Sequence, residues 1–168
     1  VINILDNICY GDENGELTFS IIGGNPSYTT YIQDQNSNIL FSADNIFSGL
    51  AASDYAVWTV DENSCSSDTL IGVKLGEPGR IKIINTISDL SCFESQDGIM
   101  NVSYLSGTSP YNFVIEDDFG VVHQGLANQA INMIIDELNA GEYVISVTDF
   151  NECFVDSTFF VNQPLEIV

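Results

Sequence analysis

The sequence predicts an all-β protein built as two tandem immunoglobulin-like antiparallel β-sandwich domains, and three observations carry that prediction. Apolar residues alternate with polar ones at period two, as in Glu16-Leu17-Thr18-Phe19-Ser20-Ile21 and again across Tyr143–Thr148, which is the pattern of half-buried strands. The chain also repeats itself: Cys9, Gly15 and Tyr28 recur as Cys92, Gly98 and Tyr111, each 83 positions on. Each unit, at roughly 80–90 residues, is long enough to close one small core.

Taken in order, the elements fall at matching places in the two copies. After Glu16–Ile21, the inward positions Tyr28, Thr30 and Ile32 match Tyr111, Phe113 and Ile115. Leu50, Ala52 and Tyr55 match Leu138, Ala140 and Tyr143, and Asp61, Asn63 and Cys65 match Asp149, Asn151 and Cys153, now 88 positions on. The growth from 83 to 88 places a five-residue insertion between Tyr111 and Leu138. Insertions lodge in loops, so 117–130 is expected to be a longer surface connection. Helix is tolerated only over 126–138, where Ile131, Ile134 and Ile135 read equally as strand. Each unit closes on Glu77-Pro78 or Gln163-Pro164, followed by Arg80-Ile81-Lys82-Ile83 or Glu166-Ile167-Val168. The domains are therefore 1–78 and 79–168, with about seven short strands each. Residues 165–168 read as the opening of a further repeat. The chain starts on Val1 and both ends fall at or inside a repeat boundary, so the sequence reads as a piece of a longer array.

Composition narrows the function. Three basic residues stand against 24 acids, for a net charge of −21. Such a surface repels phosphate backbones and anionic headgroups, which argues against nucleic acid as a partner. No apolar run reaches the roughly 18 residues of a membrane span, so this segment is not expected to insert in a bilayer. The bases Lys74, Arg80 and Lys82 cluster near mid-chain, leaving the rest acidic. A catalytic triad could be built only around the single histidine, His123, which lies in a polar stretch and is assigned no role. No Gly-rich phosphate loop is present, and no catalytic residues are expected.

The order Cys, Asp-Gly, Gly-x-x-Pro-Tyr, Leu-x-Ala-Gly-x-Tyr, Val-Thr-Asp-x-Asn-x-Cys, Gln-Pro resembles the SprB-type repeat of large surface adhesins in gliding bacteria. The second copy carries it through Cys92, Asp97-Gly98, Gly107–Tyr111, Leu138–Tyr143, Val147–Cys153 and Gln163-Pro164. The first copy departs from it at Pro26-Ser27-Tyr28, at Ser53-Asp54 and at Ser64. The resemblance implies a secreted, cell-surface, multi-repeat protein in an oxidising compartment. Its partners would be other repeats of the same long chain, and a surface polysaccharide or protein.

In that compartment the two cysteines per unit suggest bridges Cys9–Cys65 and Cys92–Cys153, the one pairing of three that respects the repeat. A metal site is the alternative, though two thiolates with no histidine make a poor zinc set. If the bridges form, Asp12, Asp61 and Asn63 in one copy, and Asp97, Asp149 and Asn151 in the other, gather at one pole of each sandwich. Hard oxygens there would suit calcium, the one cofactor the sequence raises; the plainer reading is that Asp and Asn favour turns. Asp68-Thr69-Leu70 and Asp156-Ser157-Thr158 resemble the O-glycosylation signal of the phylum the resemblance points to, which makes Thr69 and Ser157 candidate acceptors.

One aromatic pair belongs to the first copy alone. Alternation turns Tyr31 and Trp58 outward on neighbouring strands, where the second copy has Ser146 in place of Trp58. With Leu70 expected on the next strand, they form a candidate patch for a sugar ring or partner protein, unless the loop 34–49 covers it. The function expected is a structural or adhesive repeat, acting as stalk or binding domain. The alternatives are an accessory binding module of a secreted enzyme, or a fibre-forming subunit.

Overall fold

The computed structural model describes residues 2–128 and 133–168, and those residues form strands with no helix. The chain divides into two compact units, Val1–Pro78 and Gly79–Val168. In the first, β1 (Ile2–Leu5), β2 (Gly15–Phe19) and β5 (Ile46–Leu50) make one antiparallel sheet in the order β1-β2-β5. Opposite it, β3 (Tyr28–Gln33), β4 (Ile39–Ser42), β6 (Ser53–Asp61) and β7 (Leu70–Leu75) make the second, in the order β4-β3-β6-β7. Alternation decides what lies between the sheets. In β2 every second residue is buried, and Leu17 and Phe19 meet Ile32, Phe47, Leu50, Tyr55, Val57, Val73 and Leu75 in one core. Fully burying a side chain of this size contributes about 1.5–3 kcal/mol.

The second unit repeats the plan. Its sheets run β8-β9-β12, from Lys82–Ser88, Gly98–Leu105 and Met133–Leu138, and β11-β10-β13-β14, from Gly120–Ala127, Tyr111–Asp117, Gly141–Thr148 and Phe154–Val161. Met100, Val102, Tyr104, Ile115, Ile145 and Val147 are each at most 1 % exposed and form its centre.

Two expected loops are largely strand. Over 117–130, Asp117 accepts the Phe119 and Gly120 N–H groups at 2.8 and 3.1 Å, closing a hairpin from which β11 returns along β10 as far as Ala127. The hairpin itself is no longer than that of the first unit, since Ile115 pairs with His123 where Ile32 pairs with Leu40, each 83 positions on, so the extra residues fall in the sequence between Ala127 and Met133. His123 lies on β11 with its ring 5.6 Å from that of Phe113. Of the helix-tolerant stretch 126–138, Met133–Leu138 is β12 and Ile131 lies outside the described residues. Likewise 34–49 contains β4 and most of β5, which join different sheets.

The glycine that opens β2 and β9 is required by packing. A Cβ on Gly15 would come within 2.5 Å of the Leu75 side chain, and one on Gly98 within 2.8 Å of the Leu138 carbonyl oxygen. Real Cβ contacts do not come so close, so glycine makes room for β7 of the opposite sheet at Gly15, and at Gly98 for the paired strand β12 of its own sheet together with Val161 of the opposite one.

Candidate functional site

The repeated motif residues hold backbone, each in the same way in both copies. Tyr55 and Tyr143 are buried and donate their hydroxyls to the carbonyls of Ala51 and Asn139, at 2.9 and 3.1 Å. This is the tyrosine corner of immunoglobulin-like sandwiches, and it accounts for the Leu-x-Ala-x-x-Tyr pattern. Tyr28 and Tyr111 donate to the carbonyls of Gly23 and Ser106, at 2.6 and 2.9 Å. Asp61 accepts backbone N–H groups from Asn25, Asn63 and Cys65 at 2.9–3.0 Å, and Asp149 accepts those of Thr108, Asn151 and Cys153 at 2.8–3.0 Å. The N–H groups of Asn25 and Cys65 hold the Asp61 carboxyl below the usual carboxylate range. The residue before each closing proline ties down the loop after β1 or β8: Glu77 accepts the Gly11 N–H at 2.6 Å, and Gln163 that of Glu94 at 3.0 Å.

The same bonds fix where the cysteines lie. The Cys9 loop sits beside the end of β7, through Asn7 N–H on the Gly76 carbonyl at 3.0 Å. Cys65 lies beyond the far end of β6, in the turn organised by Asp61. β6 has nine residues, so its ends are roughly 27 Å apart at the usual strand rise. A disulfide needs Cα atoms within about 7 Å. The expected Cys9–Cys65 bridge is therefore excluded, and Cys92–Cys153 is excluded in the same way along the eight-residue β13. Cys65 and Cys92 carry exposed free thiols, while Cys9 and Cys153 are disulfide-bonded residues.

The acids do not gather either. Asp12 accepts the Cys9 N–H at 3.3 Å and an Asn14 amide at 2.9 Å, at the opposite end of the sandwich from Asp61 and Asn63. Asp97 is held in the Cys92 loop by Ser91 and Ser95, far from Asp149 and Asn151. Ser91 and Ser95 lower the Asp97 carboxyl to about 2. Among the described residues no group of three or more His, Cys, Asp or Glu side chains is placed to hold a metal ion. These carboxylates face N–H donors, an environment suited to negative charge.

The two candidate glycosylation positions differ. Thr69 is exposed in the extended segment before β7. Ser157 lies within β14 opposite the fully buried Ile145, on the side of the strand that faces the core.

An aromatic row crosses the outer face of the β4-β3-β6-β7 sheet. Tyr31 and Trp58 are register partners, their rings stacked at 5.3 Å and 5°. Phe41, 73 % exposed and opposite Tyr31 on β4, tilts against its other side at 6.1 Å. Leu70 does not extend the row. A bulge in the β6–β7 register sets it opposite Val57, an inward position, so Phe41 continues the row from the other side. Phe41 falls inside the expected loop 34–49, and the apolar run Ile39-Leu40-Phe41 is the strand signal that the sequence carries there. In the second unit the corresponding partners are Val114 and Ser146, so the row belongs to one copy.

Residues 1–35 match the SprB repeat. No curated protein matches the chain significantly. Among solved structures, a two-domain fibronectin type III segment of chicken tenascin is 13 % identical, with 96 % of this chain and 98 % of that one covered and a TM-score of 0.39. An amphioxus IgVJ-C2 molecule is 9 % identical over 92 % of this chain and 99 % of its own, with a TM-score of 0.38. A tetra-tandem repeat from the extending region of a large adhesion protein is 14 % identical over 96 % of this chain and 48 % of its own, with a TM-score of 0.28. The chain resembles SprB repeats and carries tandem immunoglobulin-like sandwiches. No helix among the described residues is long and apolar enough to cross a membrane.

Proposed function

We propose that the chain is a repeat module of a secreted, cell-surface adhesin-like protein, acting as stalk or binding domain and catalysing no reaction. The observation that carries this reading is the SprB repeat match over residues 1–35. The motif chemistry supports it. The repeated Tyr, Asp, Gly and Glu/Gln positions hold corners, turns and close approaches, which is what a repeat needs when its task is to persist and to space or present a surface. The acidic surface keeps such modules soluble. Antibodies raised against the two units test the location. Intact source cells should label, and external protease should remove the signal; labelling only after cell lysis would overturn the reading. O-glycosylation is part of the same proposal, with Thr69, which is exposed, as the acceptor. Intact mass of native protein should then exceed the sequence mass, with the excess mapping to the Thr69 peptide.

A further inference from the structure

We propose that the aromatic row of the first unit binds a neutral polysaccharide, with the indole of Trp58 as the surface on which a sugar ring stacks. Tyr31 is flanked on both sides, by Trp58 at 5.3 Å and Phe41 at 6.1 Å, so it serves as a support. Trp58 is covered by a ring on one side only, and among the described aromatic contacts nothing stacks on the side turned toward β7. Ala56 is the next outward residue on β6, and the bulge opposite it carries Ile71, 77 % exposed, beside Gly72, whose absent Cβ would meet nothing within 4 Å. A flat apolar face of this kind is what the C–H face of a pyranose fits.

Polar groups suited to hydroxyls follow along the same strip. Gln33 lies opposite Ala56, and Gln35 donates its amide to the exposed Asp54 carboxylate at 3.1 Å. Asp54 is four residues from Trp58, about 13 Å along the strand, within reach of a short oligosaccharide. The charge selects the class of glycan. Lys74 faces Asp54 across the β6–β7 pair, but at −21 the chain as a whole repels uronates and sulfated sugars and leaves neutral ones unaffected. The second unit folds with Val114 and Ser146 at the equivalent positions, so the sheet does not require the aromatic pair.

The inference rests on an extracellular location and is tested apart from it. The two-unit protein is run in native gels containing a neutral β-1,3-glucan, β-1,4-glucan, xylan or galactomannan, and in gels containing alginate or polygalacturonate. At least one neutral polymer should retard it, and oligosaccharides of that polymer should shift the Trp58 fluorescence saturably. The polyuronates should do neither. The double variant Tyr31→Val, Trp58→Ser copies the second unit; it should melt cooperatively and lose the retardation. Unretarded migration in all the neutral gels, or equal retardation of the variant, overturns the proposal. So does retention by a cationic protein without any glycan effect, which would assign the face to a protein. None of these failures bears on the surface-labelling result.

Discussion

Tyr143 is an inward residue by alternation, and the sequence shows that much. Its hydroxyl bond to the Asn139 carbonyl is not visible there, because it depends on how the chain turns between β12 and β13. Removing the hydroxyl alone isolates that bond. Tyr143→Phe should lower stability by about 1 kcal/mol, the net worth of a typical hydrogen bond, and the melting temperature by roughly 4–8 °C. An unchanged melting curve would show that the corner is held by packing alone. Asp97 gives a second residue-scale prediction, in acid. Its folded carboxyl lies at about 2, below the ordinary 3.8, because Ser91 and Ser95 bond the ionised form. The stabilisation is therefore complete above the ordinary value and is lost as pH falls through about 2. Asp97→Asn should melt below the native protein at pH 6, and most of the gap should be gone by pH 2. A gap as wide at pH 2 as at pH 6 would mean that a different interaction is responsible.

Strands were legible wherever one face is buried. β2, β3, β6, β9, β10 and β13 alternate cleanly, and that alternation sets Tyr31 opposite Trp58. The edge strands were not legible, because both their faces are partly wet. β4 reads Ile-Leu-Phe-Ser with three exposed residues, and β11 exposes Val121, Val122 and Leu126, so neither shows a period. The cysteine pairing failed at this scale too. Matching positions in two copies are equally compatible with a short loop and with opposite ends of a strand, and only the register separates them. The Gly98 contact predicts what a single methyl does to an element. Gly98→Ala would push β9 against the Leu138 carbonyl and the Val161 side chain. Overpacking of this kind costs about 1–3 kcal/mol, and the second unit should melt earlier by several degrees. Hydrogen exchange should place the loss in β9 and β12. Exchange unaltered in those strands would show that the pair takes up the methyl at no cost.

For the whole molecule the governing quantity is charge: 24 acids and three bases, with few of the acids near a base. Self-repulsion of this size destabilises compact states, since the unfolded chain spaces its charges further apart. Screening relieves it, because the Debye length falls from about 30 Å at 0.01 M salt to about 3 Å at 1 M. The melting temperature should therefore climb steadily with sodium chloride over that range. Calcium makes the comparison specific. Asp12 and Asp61 stand at opposite ends of one sandwich, and Asp61 and Asp149 already accept three N–H groups each, so a divalent ion finds no assembled ligand set there. At matched ionic strength, calcium and magnesium should then raise the melting temperature equally, as diffuse counterions do. A calcium-specific rise that saturates at micromolar concentration and is reversed by chelator would reveal a built site, and the assignment of these acids as turn-holding acceptors would be wrong.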